Sequence, residues 1–169
     1  MWLHAQQLTC ARDRMGAQVY ISYGARSNDQ LLQYYGFVET DNVNDAYELV
    51  NLPRRIADAC SKLSISAPGL DDFAATASTS PTLLSPTGFD PSLIAELRGV
   101  CGGDTNARAI LRQLLQDELA RFPTLLEADE LQLSSPAVAT GGDSPAALAL
   151  TLRIEKKRLL SKNIAALGP

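Results

Sequence analysis

The sequence predicts a mainly α-helical protein with a short β-containing stretch near its start. Two observations carry this expectation. From Asn51 onward, apolar residues recur at helical spacing in several separate segments. These segments are bounded by helix start and stop residues, among them Asp90-Pro91, Ser144-Pro145 and Gly99. A third observation sets residues 1–50 apart: Gln18-Val-Tyr-Ile-Ser-Tyr23 is a β-rich run closed by Gly24.

Within residues 1–50, Met15-Gly16 supplies a turn before the β-rich run. Ser27-Asn-Asp-Gln30 then reads as a capping box, in which Ser27 accepts from the Gln30 amide and Gln30 reaches back. A short helix follows through Leu31, Leu32 and Tyr35 and stops at Gly36, and Phe37-Val38 is expected to resume extended structure. In the helical part, Leu52, Ile56, Ala59, Cys60 and Leu63 share one face, with Pro53 in the first turn, where its missing amide hydrogen does no harm. Asp90-Pro91 opens the next helix, with Leu93, Ile94 and Leu97 inside and Gly99 as its end. Asp104 is the expected cap of another. Ala107, Ile110, Leu111, Leu114, Leu115, Leu119 and Phe122 form its apolar face, and Pro123 ends it. Ser144-Pro145 opens the last helix and Gly168-Pro169 closes it. Leu148, Leu152 and Leu159 make one apolar row there; Leu150, Ile154 and Ile164 contribute to a second, so the helix should be largely buried. Residues 76–88 and 134–144 read as loops.

Composition excludes several classes. With 46% hydrophobic and 20% charged residues, the 169-residue chain is not broadly disordered. A net charge of −4 gives no global attraction to nucleic acid or to an anionic membrane, although Arg153 to Lys162 is locally basic. No apolar run approaches the ~20 residues that span a bilayer. The amino terminus lacks the apolar core of a secretory signal. Cys10, Cys60 and Cys101 form no CxxC pair and His4 is the only histidine, which argues against a metal cluster and against a disulfide framework.

One segment carries a resemblance. Residues 18–37, QVYISYGARSNDQLLQYYGF, preceded by the turn glycine Gly16, resemble the end of the SET domain in Rubisco large-subunit methyltransferases and their relatives. The order and spacing of Ile-Ser-Tyr-Gly, Ser-Asn, Leu-Leu and Tyr-Gly-Phe-Val make the likeness. Residues 150–160, LTLRIEKKRLL, with the acidic Glu127–Glu130 stretch before them, are similar to the helical substrate-binding domain that follows SET in this family. The resemblance implies a division into residues 1–50, the C-terminal remnant of a SET domain, and residues 51–169, a helical substrate-binding domain.

The implied activity is S-adenosylmethionine-dependent N-methylation of a protein lysine. A lysine of ordinary pKa, ~10.4, must lose its proton before attack, and attack requires fixed orientation of amine and methyl. Carried over residue by residue, Tyr23 is the catalytic tyrosine whose hydroxyl orients the amine. Tyr35 and Phe37 line the lysine channel, their faces holding the alkyl stem and favouring a cation. Asn28 helps to fix the turn behind them.

Plainer readings stand beside these: Tyr23 as a strand-end aromatic, Tyr35 and Phe37 as core, Asn28 as a helix-start residue. The cations Arg153, Lys156, Lys157, Arg158 and Lys162 read either as a solvated helix face or as a surface that grips an acidic protein substrate.

The sequence also departs from the family. It contains no Asn-His dipeptide and no early glycine loop, the segments that hold the cofactor, so S-adenosylmethionine is not expected to bind this chain alone and no cofactor-binding residue is assigned. Residues 1–50 are expected to lack the strands they normally pack against, leaving Val19 to Tyr23 as an exposed edge. Such a chain is either an incomplete copy of a longer enzyme or a short product that keeps only a binding module. Two function classes follow: part of a methyltransferase, inactive without the missing half, or a non-catalytic helical protein-interaction module. By family analogy the partner is a lysine-containing protein, and the compartment is chloroplast or cytoplasm.

Overall fold

The structure, a computed structural model, describes residues 23–76, 81–135 and 144–168. The β-rich run before Tyr23 lies outside them, and Tyr23 itself belongs to no strand. The described chain is mainly helical. Its elements are α1 (Asn28–Tyr35), β1 (Tyr47–Leu49), α2 (Leu52–Leu63), α3 (Leu70–Thr76), β2 (Thr82–Leu84), α4 (Pro91–Cys101), α5 (Asp104–Leu119), α6 (Leu126–Leu133) and α7 (Pro145–Ala166). None of these helices is long and apolar enough to cross a membrane.

Helix boundaries follow local chemistry. Ser27 and Gln30 form the reciprocal capping box at α1, and Gly36, at φ 76°, ends it in the left-handed conformation. Asp90 caps α4 by accepting from the Ser92 amide at 2.7 Å, and Ser144 caps α7 by accepting from the Ala147 amide at 3.2 Å. Pro53, Pro91 and Pro145 all sit in first turns, where the amide they lack would have had no intrahelical partner.

Two boundaries differ from the sequence reading. α4 runs through Gly99 and stops at Gly102, whose φ of 74° suits a residue without a Cβ. At α5 the cap position is Gly103, and Asp104 is the first helical residue, where its carboxylate holds Arg98 and Arg108.

The β structure also falls elsewhere. Phe37-Val38 form no strand; the chain instead turns around the Asn28 side chain before β1. β1 pairs antiparallel with β2, placing Tyr47 opposite Leu84 and Leu49 opposite Thr82. Leu49 and Leu84 are fully buried on the shared inner face, so the stretch read as a loop over residues 76–88 contributes one core strand residue. Helices α3 and α6 were not separated from their surroundings by periodicity, because among the described side chains each buries one, Phe73 in α3 and Asp129 in α6.

The core lies around α5, which packs on α2, α4 and α7. Leu52, Ile56, Ala59 and Cys60 of α2 meet Ile110, Leu111, Leu114 and Leu115 of α5, all buried. Truncating any one of these leucines to alanine would cost about 2–5 kcal/mol. α7 covers the other side with Leu159 and Leu160, and along its length also touches α6, α1 and β1. It is buried over a wide face, as its two apolar rows predict.

Candidate functional site

Gly24, at φ 75°, turns the chain into the α1 cap, and Gly36, at the far end of α1, turns it back. The two turns bring Tyr23, Tyr35 and Phe37 into one cluster. Ring centroids lie 4.6 Å apart for Tyr23 and Tyr35, 5.2 Å for Tyr23 and Phe37, and 6.5 Å for Tyr35 and Phe37, with every pair tilted. Such separations and tilts are those of favourable aromatic contacts. Tyr23 and Tyr35 are 37% and 41% exposed and Phe37 is half-buried, so none of the three belongs to the main core. Tyr34, also on α1, is 65% exposed.

Asn28 holds the scaffold behind these rings. It is fully buried and is a hub rather than a simple helix-start residue. Its backbone amide donates to Asp45 Oδ1 at 2.9 Å, and its Nδ2 donates to the Glu39 carbonyl and to Asp45 Oδ2. Its Oδ1 accepts from the Glu39 amide and from Asn42 Nδ2. A buried asparagine with its donors and acceptors satisfied fixes one loop geometry, because a shifted loop would leave polar atoms unpaired.

The basic helix α7 is not a solvated face at its two central lysines. Lys156 is buried: its Nζ donates to Asp29 Oδ2 at 2.5 Å, Asp45 Oδ1 at 2.8 Å and the Ala46 carbonyl at 2.6 Å. Lys157, 1% exposed, donates to Asp129 Oδ2 at 2.5 Å and to the carbonyl and hydroxyl of Thr124, and lies over the Phe122 ring. Arg153 grips the same Asp129 through two nitrogens at 2.6 and 2.8 Å. The Arg153 fork, joined by Lys157 and the Thr124 hydroxyl, holds the Asp129 carboxyl well below the usual carboxylate range. Arg158 pairs with Glu130 and Glu155. Lys156 and Lys157 are therefore structural, with no free ammonium to offer an acidic substrate, and reversing their charge would disrupt packing rather than tune recognition. Of the five cations, Arg158 and Lys162 are exposed.

A second buried acid had no counterpart in the sequence reading. Glu118 on α5 is 3% exposed, accepts from the Tyr47 hydroxyl at 3.1 Å, and is ion-paired with Arg55 and Arg121. Burial pushes the Tyr47 hydroxyl upward, partly offset by the Arg55 and Arg121 charges. The sequence signal was an acid placed three residues after the buried Leu115 and next to Leu119, on the apolar side of α5.

Beside the three rings, the buried polar side chains Asn28, Asn42 and Asp45 are bonded to one another and to nearby chain. Among the described residues, the buried side-chain atom without a hydrogen bond is Glu118 Oε1, which instead faces the guanidinium groups of Arg55 on α2 and Arg121 just after α5. No group of three or more His, Cys, Asp or Glu among the described residues is placed to hold a metal ion. No protein-family model and no curated protein matches the sequence.

Proposed function

We propose that this chain is the C-terminal part of an S-adenosylmethionine-dependent protein-lysine N-methyltransferase, in which residues 1–50 close a SET domain and residues 51–169 bind the protein substrate. The reading starts from the resemblance of residues 18–37 and 150–160 to the Rubisco large-subunit methyltransferase family. The observation that carries it furthest is the gathering of Tyr23, Tyr35 and Phe37, separated by up to 14 residues, into one partly exposed aromatic cluster.

In this role the three rings supply a surface for a lysine side chain. Their mutual contacts leave no gap between them, so the alkyl stem lies along the exposed faces of Tyr23 and Tyr35. Aromatic faces attract a cationic head by about 0.5–1 kcal/mol at an exposed site. The Tyr23 hydroxyl then orients the amine. The cofactor, which supplies the methyl group, is held by residues other than those described, and the chain alone is inactive.

The test joins the chain behind the amino-terminal half of a SET domain of this family and measures transfer of labelled methyl groups to a lysine-containing protein. Tyr23→Phe should lower the rate constant far more than it weakens substrate binding, since a contact made only at the transition state acts on rate. The loss of one oriented contact is worth about 2–4 kcal/mol. A wild-type rate constant in Tyr23→Phe would reduce Tyr23 to a packing residue and remove the support for this reading.

A further inference from the structure

We propose that the pocket between the β2–α4 turn, α4, α5 and the end of α7 binds an apolar carboxylic acid that also carries an N–H or O–H donor, the chemistry of an apolar amino-acid residue with a free α-carboxylate. This inference is independent of the methyltransferase reading. The cavity holds about 180 Å³, roughly the share of six water molecules in the liquid. Its apolar surface comes from Phe89, Ile94, Leu111 and Leu167. A space of this size takes one compact apolar side chain.

Two polar features give the site its selectivity. Arg98 and Arg108 both line the cavity, and both engage the single carboxylate of Asp104 through Nε, at 2.6 and 2.7 Å. Among the described residues, their terminal nitrogens make no hydrogen bond. Two cations facing one anion leave a net positive charge at the rim, with planar forks suited to a second carboxylate. The other feature is Asn163, 4% exposed. Its Nδ2 donates to the Ser85 and Leu159 carbonyls at 3.1 and 2.9 Å, while its Oδ1 accepts no hydrogen bond from the described residues. This oxygen faces Gly88, where a Cβ would stand 3.8 Å away. Gly88, at φ 121°, is in a conformation that other residues rarely adopt. An amide oxygen left without a protein donor, on an otherwise buried side chain that lines the cavity, is open to a ligand N–H or O–H.

The test is a titration of the whole chain followed by amide chemical shifts. N-acetyl-L-leucine should bind saturably, with shifts concentrated at Thr87, Gly88, Phe89 and Leu167. N-acetyl-L-leucinamide, which lacks the carboxylate, should bind at least about tenfold more weakly. Arg98→Gln and Arg108→Gln, both at half-exposed positions, should each weaken the acid and leave the amide unchanged. Asp104→Asn should strengthen it by freeing the two guanidinium groups. A short peptide ending in leucine identifies the source: affinity about tenfold above N-acetyl-leucine assigns the site to polypeptide C-termini, and equal affinity assigns it to free acids. Equal binding of acid and amide, shifts centred elsewhere, or no saturation at millimolar ligand would overturn the proposal.

Discussion

Replacing Asp129 by asparagine tests whether the charges on α7 are structural. The side chain keeps its shape but loses its charge, and one acceptor becomes a donor. Wild-type Asp129 is fully buried and takes four hydrogen bonds, two from Arg153, one from Lys157 and one from the Thr124 hydroxyl. An asparagine amide nitrogen must face some of these donors. Arg153, whose side chain is 31% exposed, can turn to water, but Lys157, at 1%, cannot. Lys157 would keep the Thr124 carbonyl and hydroxyl and lose its counter-ion. Breaking a buried pair in this way costs about 3–5 kcal/mol, a large share of the ~5–15 kcal/mol that holds a domain together.

Lys157→Met should cost less, about 1–3 kcal/mol, because Asp129 keeps both Arg153 bonds and the Thr124 hydroxyl while the buried ammonium disappears. Urea unfolding followed by circular dichroism gives both values, provided the slope against urea is unchanged. An Asp129→Asn protein within about 0.5 kcal/mol of wild type, the range of ordinary surface substitutions, would refute the argument. So would a Lys157→Met protein less stable than Asp129→Asn.

The same carboxylate sets an acid dependence. The folded state depresses its pKa below an unfolded value of ~3.9, so its contribution is complete at neutral pH and fades as pH falls from about 5 toward the folded pKa. Urea midpoints should therefore fall more between pH 6 and pH 3, by roughly the linkage of one depressed carboxylate, in wild type than in Asp129→Asn; equal falls would contradict it. Cys60 and Cys101 should resist thiol reagents in the native state of a Cys10→Ser protein. Burial raises both thiols, and Cys101, further raised by Cys60, is pushed up to about 11. Labelling at the speed of the urea-unfolded chain would show that they are accessible. Lys156→Met should speed hydrogen exchange at Leu31, Leu32 and Asp45 while leaving the α5 amides unchanged, and uniform acceleration across the chain would count against a local latch.

The legible part of the fold was the part governed by local rules. Capping side chains, first-turn prolines and the apolar faces of α2, α5 and α7 act within a few residues, and each left a periodic or positional mark. β1 and β2 left none. Each is three residues long, they pair across 33 to 37 residues of sequence (Leu49 to Thr82, Tyr47 to Leu84), and their inner faces offer only Leu49 and Leu84 as fully buried positions. A period-two pattern cannot be recognised in two alternations. The lysines show a different failure. Lys157 lies on the row Leu150, Ile154, Leu160, and Lys156 on the row Leu152, Leu159, Asn163. Their positions said buried while their residue type said exposed, and residue type was followed. A charge in the middle of an apolar row is better read as a request for a buried partner.

That partner could not be named from sequence, and this is where the candidate site depends most on the fold. Between Tyr23 and Ala46 the one apolar side chain that is fully buried is Leu31; the other buried residues there are Asn28, Asn42 and Asp45. The scaffold of the aromatic cluster is consequently joined to α7 by polar contacts, with Lys156 reaching Asp29 and Asp45, and Glu155 accepting from the Asp41 amide at 3.0 Å. These pairs span 111 to 127 residues and obey no periodicity. Apolar contact tolerates sliding, whereas a lysine shared among two carboxylates and a carbonyl accepts one arrangement. The orientation of Tyr23, Tyr35 and Phe37 relative to the helical part is thus set largely by two adjacent side chains on α7, Lys156 and Glu155. Any function that needs those rings held against a substrate-binding helical surface needs Lys156 as much as it needs the rings.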